Sequence, residues 1–365
     1  MPSPSLIATL FDPPSPDGAE LTALPDSVDW LEVRADHTGD IDPQWLRDHF
    51  KGSLLYSFRA KGETAANRSE QLKAATEFYD RVELEIETDV SEELLRAIPI
   101  EKRLLSWYGR VNDLSQLNDR FTHLSSIPAA AYKIVTNAET ITEEFLPLSL
   151  LKSLNRTDTI AFSNGPLGFW NRLVALQLGS PAIFGRVTGD SPADMEPSIA
   201  KLIADYGLPE VRPANELFAI IGNPIFHSLS PRLHNASYRA MDHPALFVPL
   251  RVESFAEFWR EFVVSRKLDE FGLPINGMTV ASPHKEEAVL TAKQVSEMAR
   301  QTEAANILVR NNGWWIADTT DPDVVYTASR DGSVEVKKKR AAVIGCAVLD
   351  ARLLRRWLSR ALVSR

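Results

Sequence analysis

A single cysteine, Cys346, serves all 365 residues, so no internal disulfide can staple the fold. The seven histidines are scattered and none pairs with that cysteine at a metal-ligand spacing, so no metal site is expected. No apolar run approaches the roughly 18 residues that cross a membrane. Basic charge is in deficit, with 40 Lys and Arg against 49 Asp and Glu. The net charge of −9 argues against nucleic acid or an anionic membrane surface as a partner. Residues Met1 to Phe11 lack the basic flank and small-residue cleavage site of a secretory leader, and a cytoplasmic location is the expectation. What is present suits soluble domains with full cores: 44% hydrophobic and 24% charged residues, at a length that fits two domains and a further fragment.

Short β-rich apolar runs recur through the first 190 or so residues. They are Leu6–Phe11, Val28–Asp36, Leu54–Ala60, Arg81–Glu87, Arg103–Gly109, Ala131–Asn137, Asp158–Asn164 and Ala182–Thr188. Their spacing of roughly 22 to 28 residues leaves room for one βα unit each. Helix-like stretches such as Asn67–Tyr79 and Gly168–Leu178 lie between them. Eight such units predict an α/β fold, a (β/α)8 TIM barrel over 1–210; a doubly wound open sheet is the alternative.

A buried parallel strand should be nearly all apolar. These strands are not. The second carries Glu32, Arg34 and Asp36, and the third carries Arg59, with Glu63 just beyond. The fourth carries Glu83 and Glu85, and the sixth carries Lys133. Charges there are costly unless paired or used. A structural salt-bridge network and a working site at the C-terminal ends of the strands both account for them.

The motifs favour the site. E-V-R-A-D in strand two, F-R-A-K-G-E after strand three, Y-K-I-V, W-N-R-L-V and L-G-S-P-A-I-F occur in this order. Together, over about residues 5–207, they resemble the type I 3-dehydroquinate dehydratases. The resemblance implies a Schiff base between Lys133 and a substrate ketone, with the iminium as electron sink. A neutral amine is required, and burial or nearby cations lower a lysine pKa. It implies that Arg59 and Arg172 hold the substrate's carboxylate and hydroxyls, that Arg34 belongs to the same site, and that Glu32 and Glu63 bond hydroxyls or the lysine. Three positions depart from the pattern. Tyr108 stands where the family has its catalytic histidine, Asp194 stands for a substrate-contacting glutamine, and Glu83 stands for an aspartate. A tyrosine with an ordinary pKa near ~10 is a poor general base at neutral pH.

Residues Gly207 to Pro213 read as a linker. Beyond it, F-A-I-I-G-N-P-I-F-H-S-L-S-P-R-L-H-N runs from Phe218 to Asn235, a strand, a turn and a helix starting near Ser230-Pro231. Taken alone, Ser230 reads as a helix cap. The whole segment resembles the entry motif of shikimate dehydrogenases. M-T-V-A-S-P-H-K, E-A-A-N-I-L and A-D-T-T-D continue the resemblance in order. It implies an α/β substrate-binding domain over 214–335, with Ser228 and Ser230 gripping a carboxylate. Lys285 and Asp321 would handle the reacting hydroxyl's proton, Asn306 would bind substrate, and NADP would take the hydride. Thr279, Ala281, Thr319 and Val324 depart from the usual residues, and Asp318 stands in the preceding loop.

K-K-K-R-A-A-V-I-G-C, from Lys337 to Cys346, reads as the first strand and turn of a Rossmann unit, with Gly345 as its cofactor-binding glycine. No glycine follows Gly345. The expectation is a truncated nucleotide-binding fragment over 336–365 that does not hold NADP, with its last 25 or so residues poorly ordered. One permitted codon choice for Ala347 to Trp357, read two bases later, gives Gly-Ala-Gly-Arg-Ala-Ile-Ala-Ala-Ala-Val, the missing fingerprint. A frameshift after Cys346 is therefore a hypothesis, which genomic reads without an indel near that codon would refute.

Three functional readings stand at this point. The first is a shikimate-pathway enzyme that dehydrates 3-dehydroquinate, joined to a domain related to shikimate dehydrogenase and built for 3-dehydroshikimate and shikimate. The dehydratase needs no cofactor. The second is a catalytically degenerate binding protein for shikimate-like acids, and the third is an aldolase-like Schiff-base lyase. Partners are small molecules, and a homodimer is compatible with the sequence.

Overall fold

The computed structural model describes residues 3–59, 67–154, 156–191 and 196–321. Eight parallel strands form the first domain: β1 (Ser5–Leu10), β2 (Trp30–Arg34), β3 (Ser53–Ser57), β4 (Arg81–Glu85), β5 (Arg103–Gly109), β6 (Ala131–Asn137), β7 (Thr159–Asn164) and β8 (Ala182–Arg186). Neighbours in sequence pair in register from β1 to β7, and β1 also pairs with β8.

The strands alternate as a closed wall requires. In β6, Ala131 and Val135 join a small interior cluster with Leu55, Leu104, Phe162 and Phe184. Tyr132 and Ile134, one residue out of phase, belong to the large cluster under the surrounding helices. The wall is nearly closed rather than closed, because no ladder joins β7 to β8 among the described residues. Pro181, which precedes β8, has no N–H to offer. Side chains fill this seam: Phe162 and Phe184 are both buried in the interior cluster, and the Arg172 guanidinium lies 4.5 Å above the Phe162 ring.

Helices begin where polar caps allow. Asp113 caps the helix Leu114–Ser125 by accepting from Gln116 N, and Ser198 caps Ile199–Tyr206 by accepting from Lys201 N. Gly207, in the left-handed region at φ 76°, stops the latter helix. The second strand and the third are shorter than their apolar runs suggested, ending at Arg34 and Ser57. Asp36 and Arg59 therefore sit beyond the strand ends, where a barrel places its site.

The second domain is a mixed six-stranded sheet in the order β10-β9-β11-β13-β14-β12. Its strands are β9 (Glu216–Gly222), β10 (Ala245–Arg251), β11 (Ile275–Val280), β12 (Gln294–Val295), β13 (Ile307–Asn311) and β14 (Trp314–Asp318). The helix Ser230–Ala240 starts at the serine-proline pair, with Pro231 in its first turn. No helix among the described residues is long and apolar enough to cross a membrane. Residues 336–365, which carry the Rossmann-fragment expectation and Gly345, lie outside the described residues.

The two domains share one core. Phe145 and Trp170 of the barrel pack on Phe262, with ring centroids 5.6 and 5.1 Å apart, and Phe169 meets Phe226 at 5.9 Å. Arg232 reaches back 2.8 Å to the buried Asp205, whose carbonyl also accepts from Asn235 Nδ2 at 3.1 Å.

Candidate active site

The polar residues at inward strand positions converge on the C-terminal mouth of the barrel. Thr9 (β1), Glu32 and Arg34 (β2), Tyr108 (β5), Lys133 (β6), Asn164 (β7) and Arg186 (β8) line one cavity. Arg59 and Arg172 complete its wall, and Phe184 forms part of its floor. The space between these side chains is about 460 Å³ when the open solvent at its mouth is included.

Lys133 is its centre. The side chain is only 2% exposed, and Nζ stands 3.5 Å from Glu32 Oε1 and 3.6 Å from Glu83 Oε1. The Phe184 ring lies 4.1 Å below it. Ser57 Oγ lies 2.8 Å from Glu32 and 2.6 Å from Glu83, and Thr9 Oγ1 donates to Glu32 at 2.7 Å. A serine has one proton, so at any instant Ser57 bonds only one of the two carboxylates.

Burial pulls Lys133 below the ordinary lysine range; Glu32 and Glu83 push it back up, while Arg59 and Arg34 add to the lowering. Burial works against the Glu32 and Glu83 carboxylates too, yet facing Lys133 holds both below the usual range, with Arg59 helping. These directions conflict, because a neutral lysine would leave two carboxylates without their counter-charge. Burial prevails at the Lys133 amine. Almost no solvent reaches it, and two guanidiniums stand near the same carboxylates.

Tyr108 is wired into this group. Its hydroxyl accepts from Arg59 and donates to Glu83, and the Arg59 guanidinium lies 3.8 Å over its ring. Burial first, and then the Glu83 charge, hold the phenol well above its ordinary pKa. The phenol is therefore neutral, a hydrogen-bond donor and not a free base.

The rim is cationic. Arg34 is tied to Asp36 by two bonds of 2.9 and 2.7 Å, which fixes its head over Phe11. Arg172 donates to Asn164 Oδ1 at 2.8 Å and lies 3.6 Å from Glu196. The Nε atoms of Arg59 and Arg172 are buried with no acceptor among the described residues. Buried guanidinium donors without acceptors, facing a cavity, are suited to a bound anion.

Of the expected barrel residues, Lys133, Glu32, Arg34, Arg59, Arg172 and Tyr108 come together here. Glu63 and Asp194 lie outside the described residues. The sequence reading left out Thr9, Ser57, Asn164, Arg186 and Glu196. A signal existed for Thr9 and Ser57: each is a hydroxyl two residues after an inward apolar residue, Ile7 and Leu55.

A second cluster lies at one end of the inner strands β11, β13 and β14 of the other sheet. Lys285, at the start of the helix Lys285–Thr291, bonds Asp321 Oδ2 at 2.8 Å. Asn306 Nδ2 bonds Asp321 Oδ1 at 2.8 Å, and its Oδ1 accepts from Thr320 N at 3.1 Å. Ser228 and Ser230 are joined to each other instead, Ser230 N donating to Ser228 Oγ at 3.2 Å. Among the described residues no hydrogen bond links the serine pair to the lysine cluster. Asn235, from the same motif, is structural: it is buried and pairs both ways with the Phe247 backbone.

Comparison with known proteins matches two families to these two regions. The type I 3-dehydroquinase family matches residues 11–217, and the shikimate dehydrogenase substrate binding domain matches residues 220–308. The chain is 25% identical over 326 residues to the chloroplastic bifunctional 3-dehydroquinate dehydratase/shikimate dehydrogenase of Arabidopsis thaliana, covering 84% of this chain and 52% of that protein. It is 41% identical over 106 residues to the shikimate dehydrogenase (NADP(+)) of Syntrophobacter fumaroxidans, covering 29% of this chain and 34% of the relative. The chain thus spans about half the length of the first relative and a third of the second. A solved structure of the dehydroquinate dehydratase and shikimate dehydrogenase from S. pombe AroM aligns with all of this chain and 73% of its own, at 19% identity and a TM-score of 0.45.

Proposed function

Because the chain belongs to the type I 3-dehydroquinase family, we propose that its barrel dehydrates 3-dehydroquinate to 3-dehydroshikimate through a Schiff base on Lys133. One observation carries the reading. A fully buried lysine of lowered pKa floors a cavity whose two rim arginines, Arg59 and Arg172, have buried donors with no acceptor among the described residues.

The neutral Lys133 amine adds to the ring ketone, and water leaves as the iminium forms. The iminium draws in the electron pair of the adjacent C–H bond. That proton passes to the Tyr108 oxygen while the tyrosine's own proton passes to Glu83. The enamine expels the β-hydroxyl, which takes the proton back from the same pair and departs as water. Hydrolysis of the iminium frees the product and restores the lysine. Arg172, braced by Asn164, takes the substrate carboxylate, while Arg59 and Arg34 face the hydroxyls.

The second domain we assign to a shikimate-like acid. Lys285 and Asp321 hold and move the proton at its reacting hydroxyl, and Ser228 and Ser230 are the carboxylate grip. The Gly345 turn that the sequence assigns to NADP lies outside the described residues. None of the glycines of this domain, at 222, 272, 277 and 313, forms the Gly-x-Gly-x-x-Gly turn that cradles a pyrophosphate.

The neutral, Glu83-bound phenol favours one other reading, a barrel that binds shikimate-like acids without turning them over. Incubation with 3-dehydroquinate, borohydride reduction and intact mass separate the two. The dehydratase gives a mass gain on Lys133 and, without reductant, the enone absorbance. An adduct without enone means that imine chemistry survives and proton transfer does not. Neither signal on folded protein leaves the binding reading.

A further inference from the structure

Glu144 lies in the short turn Glu143–Phe145 after β6, fully buried and outside the cavity. Both of its oxygens serve the segment that leads into the helix Trp170–Gln177. Oε1 accepts from Leu167 N at 2.7 Å. Oε2 accepts from the Trp170 indole and from Asn171 Nδ2, the latter at 3.2 Å. Asn171 is locked to β7 in turn, accepting from Ser163 N and donating to Ser163 O, each at 3.0 Å. The next residue is Arg172, the rim arginine.

The same segment is the seat of the second domain. Arg251, at the end of β10, donates its backbone N to Leu167 O and its Nε to Pro166 O, each at 3.1 Å. Trp170 itself packs on Phe262 of the second domain. Gly165 is required here, since an added Cβ would lie 2.4 Å from Glu144 Cγ. One carboxylate therefore ties together the first turn of the arginine-bearing helix and the loop on which the other domain rests.

We propose that Glu144 is a positioning residue for the barrel reaction, and that the docked second domain, through Arg251, completes the seat that aims Arg172 at the substrate carboxylate. Three donors from one segment converge on its two oxygens, which have lone pairs for all three. The proposal rests on the dehydratase reading, and its test is built to separate the two.

The test uses the full chain in four forms: wild type, E144A, E144Q and R251A. E144A raises KM for 3-dehydroquinate about tenfold, with kcat within about twofold, because binding is lost and the lysine chemistry is untouched. E144Q falls between, since its one carbonyl can still serve Trp170 and Asn171 and only Leu167 loses its acceptor. R251A raises KM by a smaller factor, the backbone bond to Leu167 being retained. Crystal structures of E144A and wild type supply a readout independent of turnover: the Arg172–Asn164 bond is kept in wild type and lost in the variant. An unmoved Arg172, or an unchanged KM in E144A, overturns the proposal. If wild type forms no adduct with 3-dehydroquinate, the dehydratase reading falls alone, and the Arg172 position still decides the role of Glu144.

Discussion

Replacing Lys133 by methionine tests the electrostatics of the barrel most directly. The substitution keeps most of the volume and removes the charge. It leaves Glu32 and Glu83, each about 2% exposed, without the cation that stood 3.5 and 3.6 Å away. At an effective dielectric of about 20, a pair at such a distance is worth roughly 4 kcal/mol. Removing one partner of a buried pair costs about 3–5 kcal/mol. Arg59, 3.9 Å from Glu83, offsets part of the loss, so a destabilisation of about 3 kcal/mol at pH 8 is expected. The pH dependence carries the sign. In the native chain both carboxyls are held low, so their stabilisation is present above the ordinary carboxylate range and fades as pH falls through the folded values. Without the lysine, burial raises them, and stability is then lost as pH rises through the new folded values. Urea denaturation of both proteins from pH 5 to 8 should show a gap that widens with pH. The double variant K133M/E32Q should narrow it. Equal stability at pH 8, or parallel profiles, would refute the account.

Other outcomes follow from the same geometry. Y108H restores an imidazole beside Glu83, and kcat for 3-dehydroquinate should rise by roughly tenfold or more; a fall would mean that the phenol relay is the better device. Burial lifts the Glu144 carboxyl to about 7 despite its bonds to Leu167, Trp170 and Asn171. The folded state therefore binds the extra proton, and stability falls as pH rises from about 4.5 to about 7, by on the order of 3 kcal/mol. Urea midpoints for E144Q should lack that slope. K285M should weaken shikimate binding to the full chain by roughly 10- to 100-fold in calorimetry, the weight of a charge-assisted hydrogen bond. R68M strips the buried Asp89 of two bonds of 2.7 and 2.6 Å and should cost about 3–5 kcal/mol by denaturant titration.

Much of the barrel was legible because its two signals are local. Apolar runs at regular spacing marked the strands, and charges inside those runs marked the cavity. Lys133, Glu32 and Arg172 are far apart in sequence, yet each is readable as a misplaced charge or a motif member. Ser57 and Thr9 were marked only by their inward phase in the strand, because a small hydroxyl there carries little cost. The β7–β8 seam was hidden, since ladder closure depends on register around the whole wall. In the second domain, the ordered motifs predicted Lys285, Asn306 and Asp321, which meet as a cluster, and Ser228 and Ser230, which pair with each other.

Periodicity and motif order by themselves determined the architecture of the first domain, the identity of its central lysine and the kinship of the second domain. Both depend on residues within one strand or one turn of each other. Only the tertiary structure decided that Tyr108 is a neutral phenol held between Arg59 and Glu83, because that state is set by burial and by charges from other strands. Only it brought Glu144, Arg251 and the Arg172 helix together at one loop. Glu144 and Arg251 look like ordinary surface charges in the sequence. Their roles arise from long-range packing that no local pattern encodes.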